Sequence, residues 1–162
     1  RDRCEGSKLT SLDVSKNTKL KVLNCENNNL SSIDVSKNIE LVELACDNTN
    51  LTSLDVSKNV ALKDLYCDDN KLTSLNLSKN TKLINLNCSN NQLTSLDLNK
   101  NTELIYLECK ENPFTQESIN DLLNSLPMGK YDNGKSISTL WIDDKWDISI
   151  AEEKGWKINS YF

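Results

Sequence analysis

The sequence contains no histidine, only four glycines and two prolines, and few aromatic side chains. Without histidine, the chain lacks the side chain that most often serves as a general base and as a metal ligand. It also has no apolar run near the roughly 18 residues that a membrane-spanning helix requires, and its first residues lack the apolar centre of a signal peptide. These absences argue against membrane insertion by this segment, and they neither show nor exclude export.

The overall charge is mildly acidic. There are 24 aspartates and glutamates against 19 lysines and arginines, which gives a net charge of −5. No cluster of basic residues is present, so a nucleic-acid partner is not expected. The length of 162 residues fits one domain, and leucine, isoleucine and valine are plentiful enough to build a core.

A 21-residue repeat organises most of the chain. It is marked by six evenly spaced cysteines, namely Cys4, Cys25, Cys46, Cys67, Cys88 and Cys109. Leucines follow the same interval, and the segment SLDVSKN at 11–17 returns four times with small changes. One unit is written L-x-x-L-x-C-x-x-N-x-L-x-x-L-D-V-S-K-N-x-x. A fixed interval of this length is typical of solenoid proteins, in which each unit packs against the next.

The first eleven positions of the unit resemble the leucine-rich repeat pattern L-x-x-L-x-L-x-x-N-x-L, with cysteine at the third leucine. Five full units agree in register. The version with LDVSKN and cysteine resembles leucine-rich repeat proteins of Bacteroidetes surfaces, and more distantly the internalins. The resemblance implies an α/β solenoid: a curved right-handed coil with a parallel concave sheet, an irregular or 3₁₀ convex side, and an α/β C-terminal cap.

We therefore expect a single leucine-rich repeat domain over 1–162. Residues 1–8 form a partial first coil, 9–113 the 21-residue repeats, and 114–162 the capping coils with helices. In the strand predicted at 21–26, Leu23 and Cys25 should point inward, because they alternate with Val22, Asn24 and Glu26. Because the chain begins inside a strand, we expect the natural protein to extend further.

The asparagine that ends each strand motif is predicted to be structural. A buried amide at that bend can satisfy backbone groups that the turn leaves unpaired. Thr49 and Ser7 replace asparagine in two units, where we expect a weaker ladder. The column consists of Asn28, Asn70, Asn91 and Asn112.

After residue 114 the repeat gives way to a cap. An amphipathic helix is predicted from the N-cap Thr115 to Pro127, with Ile119, Leu122, Leu123 and Leu126 on one face. The segment 131–136 should form a turn. The pattern L-x-x-L-x-L then returns at Ile137, Leu140 and Ile142.

A second short helix is predicted between Asp147, as its N-cap, and Gly155, and 156–162 should form the last strand. All three tryptophans lie in this cap. They either cover the open end of the core or form an aromatic platform for a sugar or a partner domain, and the sequence leaves both interpretations open. They are Trp141, Trp146 and Trp156.

Outward-facing strand positions are the candidates for recognition, since they project from a rigid scaffold. Eight of the twenty such positions in five coils are acidic and one is basic, whereas lysines recur in the SKN turns. The predicted ligand-binding residues are Asn24, Glu26, Glu43, Asp47, Asp64, Tyr66, Asp68, Asp69, Asn85, Asn87, Tyr106 and Glu108.

Three interpretations of this acidic face remain open. It is a solvated surface, a docking surface for a basic protein or a glycan with tyrosines as anchors, or a weak calcium site at Asp47, Asp68 and Asp69. Catalysis is not expected, because the serines have no histidine partner and the general acidity of the repeats accounts for pairs such as Asp64 with Glu43. No cofactor is expected.

The predicted function is non-catalytic binding of a protein or glycan through the acidic concave face, at a bacterial cell surface or outside the cell. Host molecules are among the expected ligands. We expect the protein to be secreted, to act in adhesion and to be a monomer. The alternative is a structural spacer that displays another domain and has no ligand of its own.

The cysteines are predicted to be core residues. Zinc would need four converging ligands, which a column of parallel side chains cannot supply. A disulfide between in-register strands would strain the ladder, and an inward thiol lacks the exposure that reactivity needs. We therefore predict six buried, reduced thiols that pack as small hydrophobic side chains.

Overall fold

The structure is a computed structural model that describes residues 2–3, 6, 8–136 and 138–159. Its elements, in chain order, are β1 (Asp2–Arg3), β2 (Val22–Asn24), β3 (Glu43–Ala45), β4 (Asp64–Tyr66), β5 (Asn85–Asn87), β6 (Tyr106–Glu108), α1 (Gln116–Ser125), β7 (Tyr131–Asp132), β8 (Lys135–Ser136), β9 (Thr139–Trp141), α2 (Ser149–Glu153) and β10 (Lys157–Asn159). Eight strands form one parallel sheet in the order β1-β2-β3-β4-β5-β6-β9-β10. The predicted solenoid with a parallel sheet is confirmed.

The register of the sheet repeats the period of the sequence. Leu23 pairs with Leu44, and Leu44 with Leu65, so each residue lies beside the residue 21 positions further along the chain. The step departs from this period twice in the cap: it shortens where Leu140 pairs with Ile158, and it lengthens where Leu107 pairs with Leu140. The extra length in that coil accommodates α1 and the β7–β8 hairpin.

The core runs the length of the sheet as stacked columns of inward side chains. Leu23 and Cys25 are fully buried, as predicted. The regular strand is shorter than the predicted 21–26, but backbone pairing continues past it. For example, the N–H of Cys25 donates to the carbonyl oxygen of Ala45 over 2.8 Å.

The side of each coil opposite the sheet consists of turns, with no continuous 3₁₀ helix in the described repeats. In the first of these coils the N–H of Asn17 donates to Val14, and the N–H of Leu20 donates to Asn17. A second asparagine column, which was not predicted from the sequence, stabilises these turns. Asn59 is typical, since it is fully buried and its Nδ2 donates to the carbonyl oxygens of Val35 and Asn38.

Helix α1 begins as predicted. The Thr115 side chain accepts from the N–H of Ser118, whose hydroxyl accepts from the N–H of Thr115. These two bonds satisfy donors that a helix start otherwise leaves unpaired. The three leucines and the isoleucine of the predicted face are buried at 119, 122, 123 and 126.

The prediction for α2 is partly wrong. Its N-cap is Ile148 rather than Asp147, although an Asp147 carboxylate oxygen accepts from the N–H of Ser149. The C-terminal stop at Gly155 is confirmed. Gly155 has a φ of +82°, its N–H donates to Glu152, and the N–H of Trp156 donates to Ala151. These two bonds define a Schellman motif, which favours glycine because no Cβ opposes the left-handed backbone.

The predicted turn at 131–136 is a two-stranded hairpin, in which Asn133 and Gly134 both have positive φ. Two side chains fasten α2 and its C-terminal end to the end of α1. Lys154 Nζ donates to the carbonyl oxygens of Asn124 and Leu126, and Trp156 Nε1 donates to that of Pro127. Ile137 and residues 160–162 lie outside the described residues. No helix of the described chain is both long and apolar enough to cross a bilayer.

Candidate binding face of the sheet

The outward side chains of the eight-stranded sheet share one surface, which we call the concave face. Its first row comprises Val22, Glu43, Asp64, Asn85, Tyr106 and Thr139. Its second row comprises Asn24, Ala45, Tyr66, Asn87, Glu108 and Trp141. The positions just beyond the strands form a third row, which contains Glu26, Asp47, Asp68, Ser89 and Lys110. The predicted ligand-binding residues therefore lie on this face or, like Asp69, on its rim.

The rim position after the third row is constrained by its backbone. The residues there have φ values between +49° and +56°, a region that asparagine and aspartate tolerate better than most residues. This constraint explains why asparagine and aspartate prevail at that position. The rim residues are Asn27, Asn48, Asp69, Asn90 and Glu111.

Part of the acidity of the concave face is engaged within the molecule. Asn85 Nδ2 donates to Asp64 over 2.5 Å, and Asn90 Nδ2 donates to Asp69. Glu108 accepts from the Tyr106 hydroxyl over 2.7 Å and forms an ion pair with Lys110 at 2.9 Å. These contacts orient the side chains, and the ammonium group of Lys110 offsets the charge of one carboxylate.

Asp68 is in a different environment. Burial and the neighbouring charge of Asp47 raise the pKa of its carboxyl group to about 6, with smaller contributions from Asp69 and Glu108, while its own backbone N–H lowers it. No lysine or arginine forms an ion pair with Asp68 in the part of the chain that the structure describes. This carboxylate is thus costly to ionise and lacks a cation beside it.

The outward positions predicted from the sequence end with the coil of β6, but the concave face continues onto β9. Trp141 is next to Glu108 in the second row, and Lys110 Nζ lies 5.3 Å from the centre of its ring. The returning leucine pattern around Leu140 was the signal that could have placed Trp141 on this face.

The three tryptophans have different roles. Trp156 is buried in the core at 4% exposure and Trp146 packs against that core, so both cover its open end. Trp141 is half-buried on the concave face. The covering interpretation therefore fits Trp146 and Trp156, and the platform interpretation stays a prediction for Trp141.

Solved structures with the same architecture include three bacterial proteins. The first is the functional domain of InlJ from Listeria monocytogenes, which includes a cysteine ladder; it matches at a TM-score of 0.65 and 32% identity, over 98% of this chain and 38% of that one. The second is a leucine-rich repeat protein from Leptospira interrogans, with a TM-score of 0.67 and 20% identity over 90% of this chain and 44% of that one. The third is internalin C2 from L. monocytogenes, with a TM-score of 0.67 and 20% identity over 92% of this chain and 66% of that one. The chain is a leucine-rich repeat protein.

The chain spans between 38% and 66% of the length of these three proteins. No protein-family model matches it, and no curated protein is recognisably similar. The repeat type expected for Bacteroidetes surface proteins stays a prediction.

The asparagine column of this leucine-rich repeat is structural, as predicted. Asn70 Nδ2 lies within 3.1 Å of the carbonyl oxygens of Cys46, Cys67 and Asp68, and its Oδ1 accepts from the N–H of Leu51. Asn70 thereby joins two neighbouring coils.

Thr49, which replaces asparagine in one coil, makes fewer bonds. Its hydroxyl oxygen lies 2.7 Å from the carbonyl oxygen of Cys46 and 3.0 Å from Oδ1 of Asn70, and a single proton can serve only one of them. The weaker ladder expected at this coil is consistent with this geometry and stays a prediction. Ser7, at the same position of the first coil, is outside the described residues.

Five cysteines of the leucine-rich repeat are buried thiols, as predicted, and Cys4 lies outside the described residues. Burial raises the pKa of the Cys88 thiol to about 12 and raises those of Cys46, Cys67 and Cys109 well above the usual value. These thiols are therefore protonated and poorly nucleophilic at neutral pH.

Within the described chain, no three histidine, cysteine, aspartate or glutamate side chains are grouped so that they could hold a metal ion. Asp47 and Asp68 are neighbours in the third row and Asp69 is next to Asp68 on the rim, but one Asp69 oxygen already accepts from Asn90. The geometry gives the calcium interpretation no support.

Proposed function

We propose that this leucine-rich repeat domain is a non-catalytic binding module, exposed at a bacterial surface, that recognises a protein through its concave face. The observation that carries the proposal is the contrast between the two sides of each strand. Inward positions repeat the same side chain, whereas outward positions present different residues in each coil on a rigid sheet.

The centre of the concave face has the composition of a recognition surface. Tyr66 and Tyr106 are half-buried, and Trp141 extends the aromatic surface to β9. Aromatic side chains provide most binding hot spots, because they bury a large area at a small cost in conformational entropy. Asp64 and Asp68 surround Tyr66 with carboxylates, which favours a partner with a basic surface.

The bacterial relatives support a protein partner and a surface location. Two of the three are internalin-type proteins of Listeria, and the first of them is 32% identical to this chain. A glycan ligand is the other outcome that the experiment below distinguishes.

The test is a binding screen followed by substitution of the concave face. The labelled domain is applied to arrays of extracellular proteins and of glycans, and the bound species is then titrated against Tyr66→Arg and Tyr106→Arg. We expect each substitution to weaken binding by about 2 kcal/mol or more, as for an interface hot spot.

The matched control is Val60→Arg. Val60 is 53% exposed in a turn on the opposite side of the coil, so the same arginine there should leave affinity unchanged. If Tyr66→Arg and Tyr106→Arg both bind like the wild type, the concave-face proposal is wrong and a spacer role is favoured. Binding to glycans alone would contradict the proposal that the partner is a protein.

A further inference from the structure

A small cavity of about 180 Å³ opens on the concave face, where three successive coils meet just beyond β4, β5 and β6. Asp68 and Asp69 contribute from the first coil, Ser89 from the second, and Glu108, Lys110 and Glu111 from the third. A cavity of this size admits the end of one side chain rather than a whole ligand.

Ser89 supplies the first indication that the cavity has an occupant. It is only 8% exposed, and its hydroxyl oxygen has no hydrogen-bond partner within the described part of the chain. The alternation of the strand places Ser89 outward, because its neighbour Cys88 is in the core. A buried hydroxyl without a partner costs free energy, so a ligand that bonds to it would recover that cost.

The charge around the cavity supplies the second indication. Its single basic residue, Lys110, is paired with Glu108 and lies over the ring of Trp141. Asp68, Asp69 and Glu111 then leave the cavity negative. Within the described residues no side chain donates a hydrogen bond to the Asp68 carboxylate, whereas one oxygen of Asp69 accepts from Asn90.

We infer that this cavity receives an arginine side chain of the protein partner, with the guanidinium group bonded to the Asp68 carboxylate and to Ser89 Oγ. The inference deepens the proposed function and rests on it. A guanidinium group is planar, always charged and carries five N–H donors, which suits two acceptors on adjacent coils. A metal ion fits less well, because the described carboxylates are not grouped as a metal site.

The protonation of Asp68 gives the interaction a pH dependence. Asp47, Asp69 and Glu108 repel its charge, Lys110 lines the same cavity, and the pKa of the carboxyl group is about 6. A guanidinium group binds the ionised form, so affinity should fall as the pH drops from 7.5 to 5.

The test is a titration of the ¹⁵N-labelled domain with N-acetylarginine methylamide at pH 7.5, in which binding is measured from the changes in amide chemical shift. The citrulline analogue, which has the same shape without the charge, is the matched ligand control. We expect saturable shifts at residues 68–70 and 89–90 with the arginine probe, weaker binding at pH 5, and no shifts with citrulline.

Two variants test the two contacts. Ser89→Ala and Asp68→Asn should each raise the dissociation constant of the probe about ten-fold, as expected when a charged hydrogen bond is lost. Glu40→Gln removes an exposed carboxylate in a turn away from the sheet and should change nothing.

Several results would overturn the inference: citrulline binding as tightly as arginine, unchanged affinity in both variants, or calcium chloride shifting the same amides at lower concentration than the probe. The probe requires no partner, so the two proposals fail separately. If the probe does not bind but Tyr66→Arg still abolishes partner binding, only the arginine site is wrong. If the probe binds but Tyr66→Arg and Tyr106→Arg retain the partner, the cavity is an arginine site, but the proposed function and the assignment of the arginine to the partner are wrong.

Discussion

Adjacent residues of β4 and its continuation belong to two different surfaces. Leu65 and Cys67 point into the core and are fully buried, whereas Tyr66 and Asp68 point outward and are half-exposed. In the two neighbouring coils the inward positions hold leucine and cysteine again, but the outward positions hold alanine and aspartate in one coil and asparagine and serine in the other. Repetition in this solenoid therefore marks packing, and departure from repetition marks the surface available for binding.

The physical reason is the stacking itself. An inward side chain packs against the same position of the coils before and after it, so a change of volume leaves a cavity or a clash. An outward side chain has solvent on one side and tolerates exchange. The predictions below test this contrast.

The largest effect is expected for Leu65→Ala, compared with Tyr66→Ala on the same strand. Leu65 is fully buried, and removal of a buried leucine side chain typically costs about 3–4 kcal/mol of unfolding free energy. Tyr66→Ala should cost about 1 kcal/mol or less, because the ring is half-exposed. Urea unfolding followed by circular dichroism measures both, and equal losses would contradict the contrast.

A slightly smaller loss is expected for Asn70→Ala. The substitution leaves the buried N–H of Leu51 without its acceptor and removes one of the two side-chain donors from each of the carbonyl oxygens of Cys46 and Cys67, so we expect a loss of about 3 kcal/mol. The control is Asn29→Ala, at an exposed asparagine, with a change under about 0.5 kcal/mol. The same urea experiment applies, and a loss below 1 kcal/mol for Asn70→Ala would show that water replaces the amide.

Thr49→Asn should stabilise the protein by about 1 kcal/mol, the net contribution of a typical hydrogen bond. Asparagine at this position can supply the second donor that the threonine hydroxyl lacks. Thr49→Ser keeps only a hydroxyl and should give no gain. Thermal unfolding midpoints compare the three proteins, and destabilisation by Thr49→Asn would mean that the coil has adapted to the smaller side chain.

The smallest effect is expected for Asp68→Asn, and it depends on pH. The folded-state pKa of about 6 is above the usual 3.8, so the folded protein binds this proton more tightly than the unfolded chain. The corresponding stabilisation is complete below about pH 3.8 and is lost as the pH rises through about 6. Asp68→Asn should remove that decline and be slightly more stable than the wild type at pH 7.5.

A control of opposite sign is available at Asp34. The hydroxyl and backbone N–H of Ser36 lower the pKa of its carboxyl group, so its contribution is lost as the pH falls. In unfolding midpoints measured from pH 2 to 7.5, the difference from the wild type should therefore change below about pH 3.8 for Asp34→Asn and between about pH 3.8 and 6 for Asp68→Asn, with opposite signs. Parallel curves would contradict the assigned environment of Asp68.

The sequence predicted the parts of the molecule that the repeat determines. The register, the buried leucines and cysteines, the column that includes Asn70, and the start of α1 at Thr115 were all inferred correctly, because each follows from local chemistry repeated 21 residues apart. The column that includes Asn59 repeats equally well but was missed, since asparagine in a turn is normally exposed.

The remaining errors concern contacts between unlike segments. The N-cap of α2 is Ile148 rather than Asp147, and Trp141 belongs to the concave face, because the position of the cap depends on how it docks onto β6. The burial of Ser89 depends on the sizes of the side chains in the adjacent coils. A pattern within one coil does not contain that information.

The most direct test of the separation between core and concave face is the unfolding free energy of one triple variant, Tyr66→Ser with Asp68→Asn and Asp69→Asn. Asparagine tolerates the positive φ at position 69, so none of the changes strains the backbone. The predicted result is a free energy of unfolding at pH 7.5 within about 1 kcal/mol of the wild type. A loss as large as that of Leu65→Ala would show that the outward residues also hold the fold.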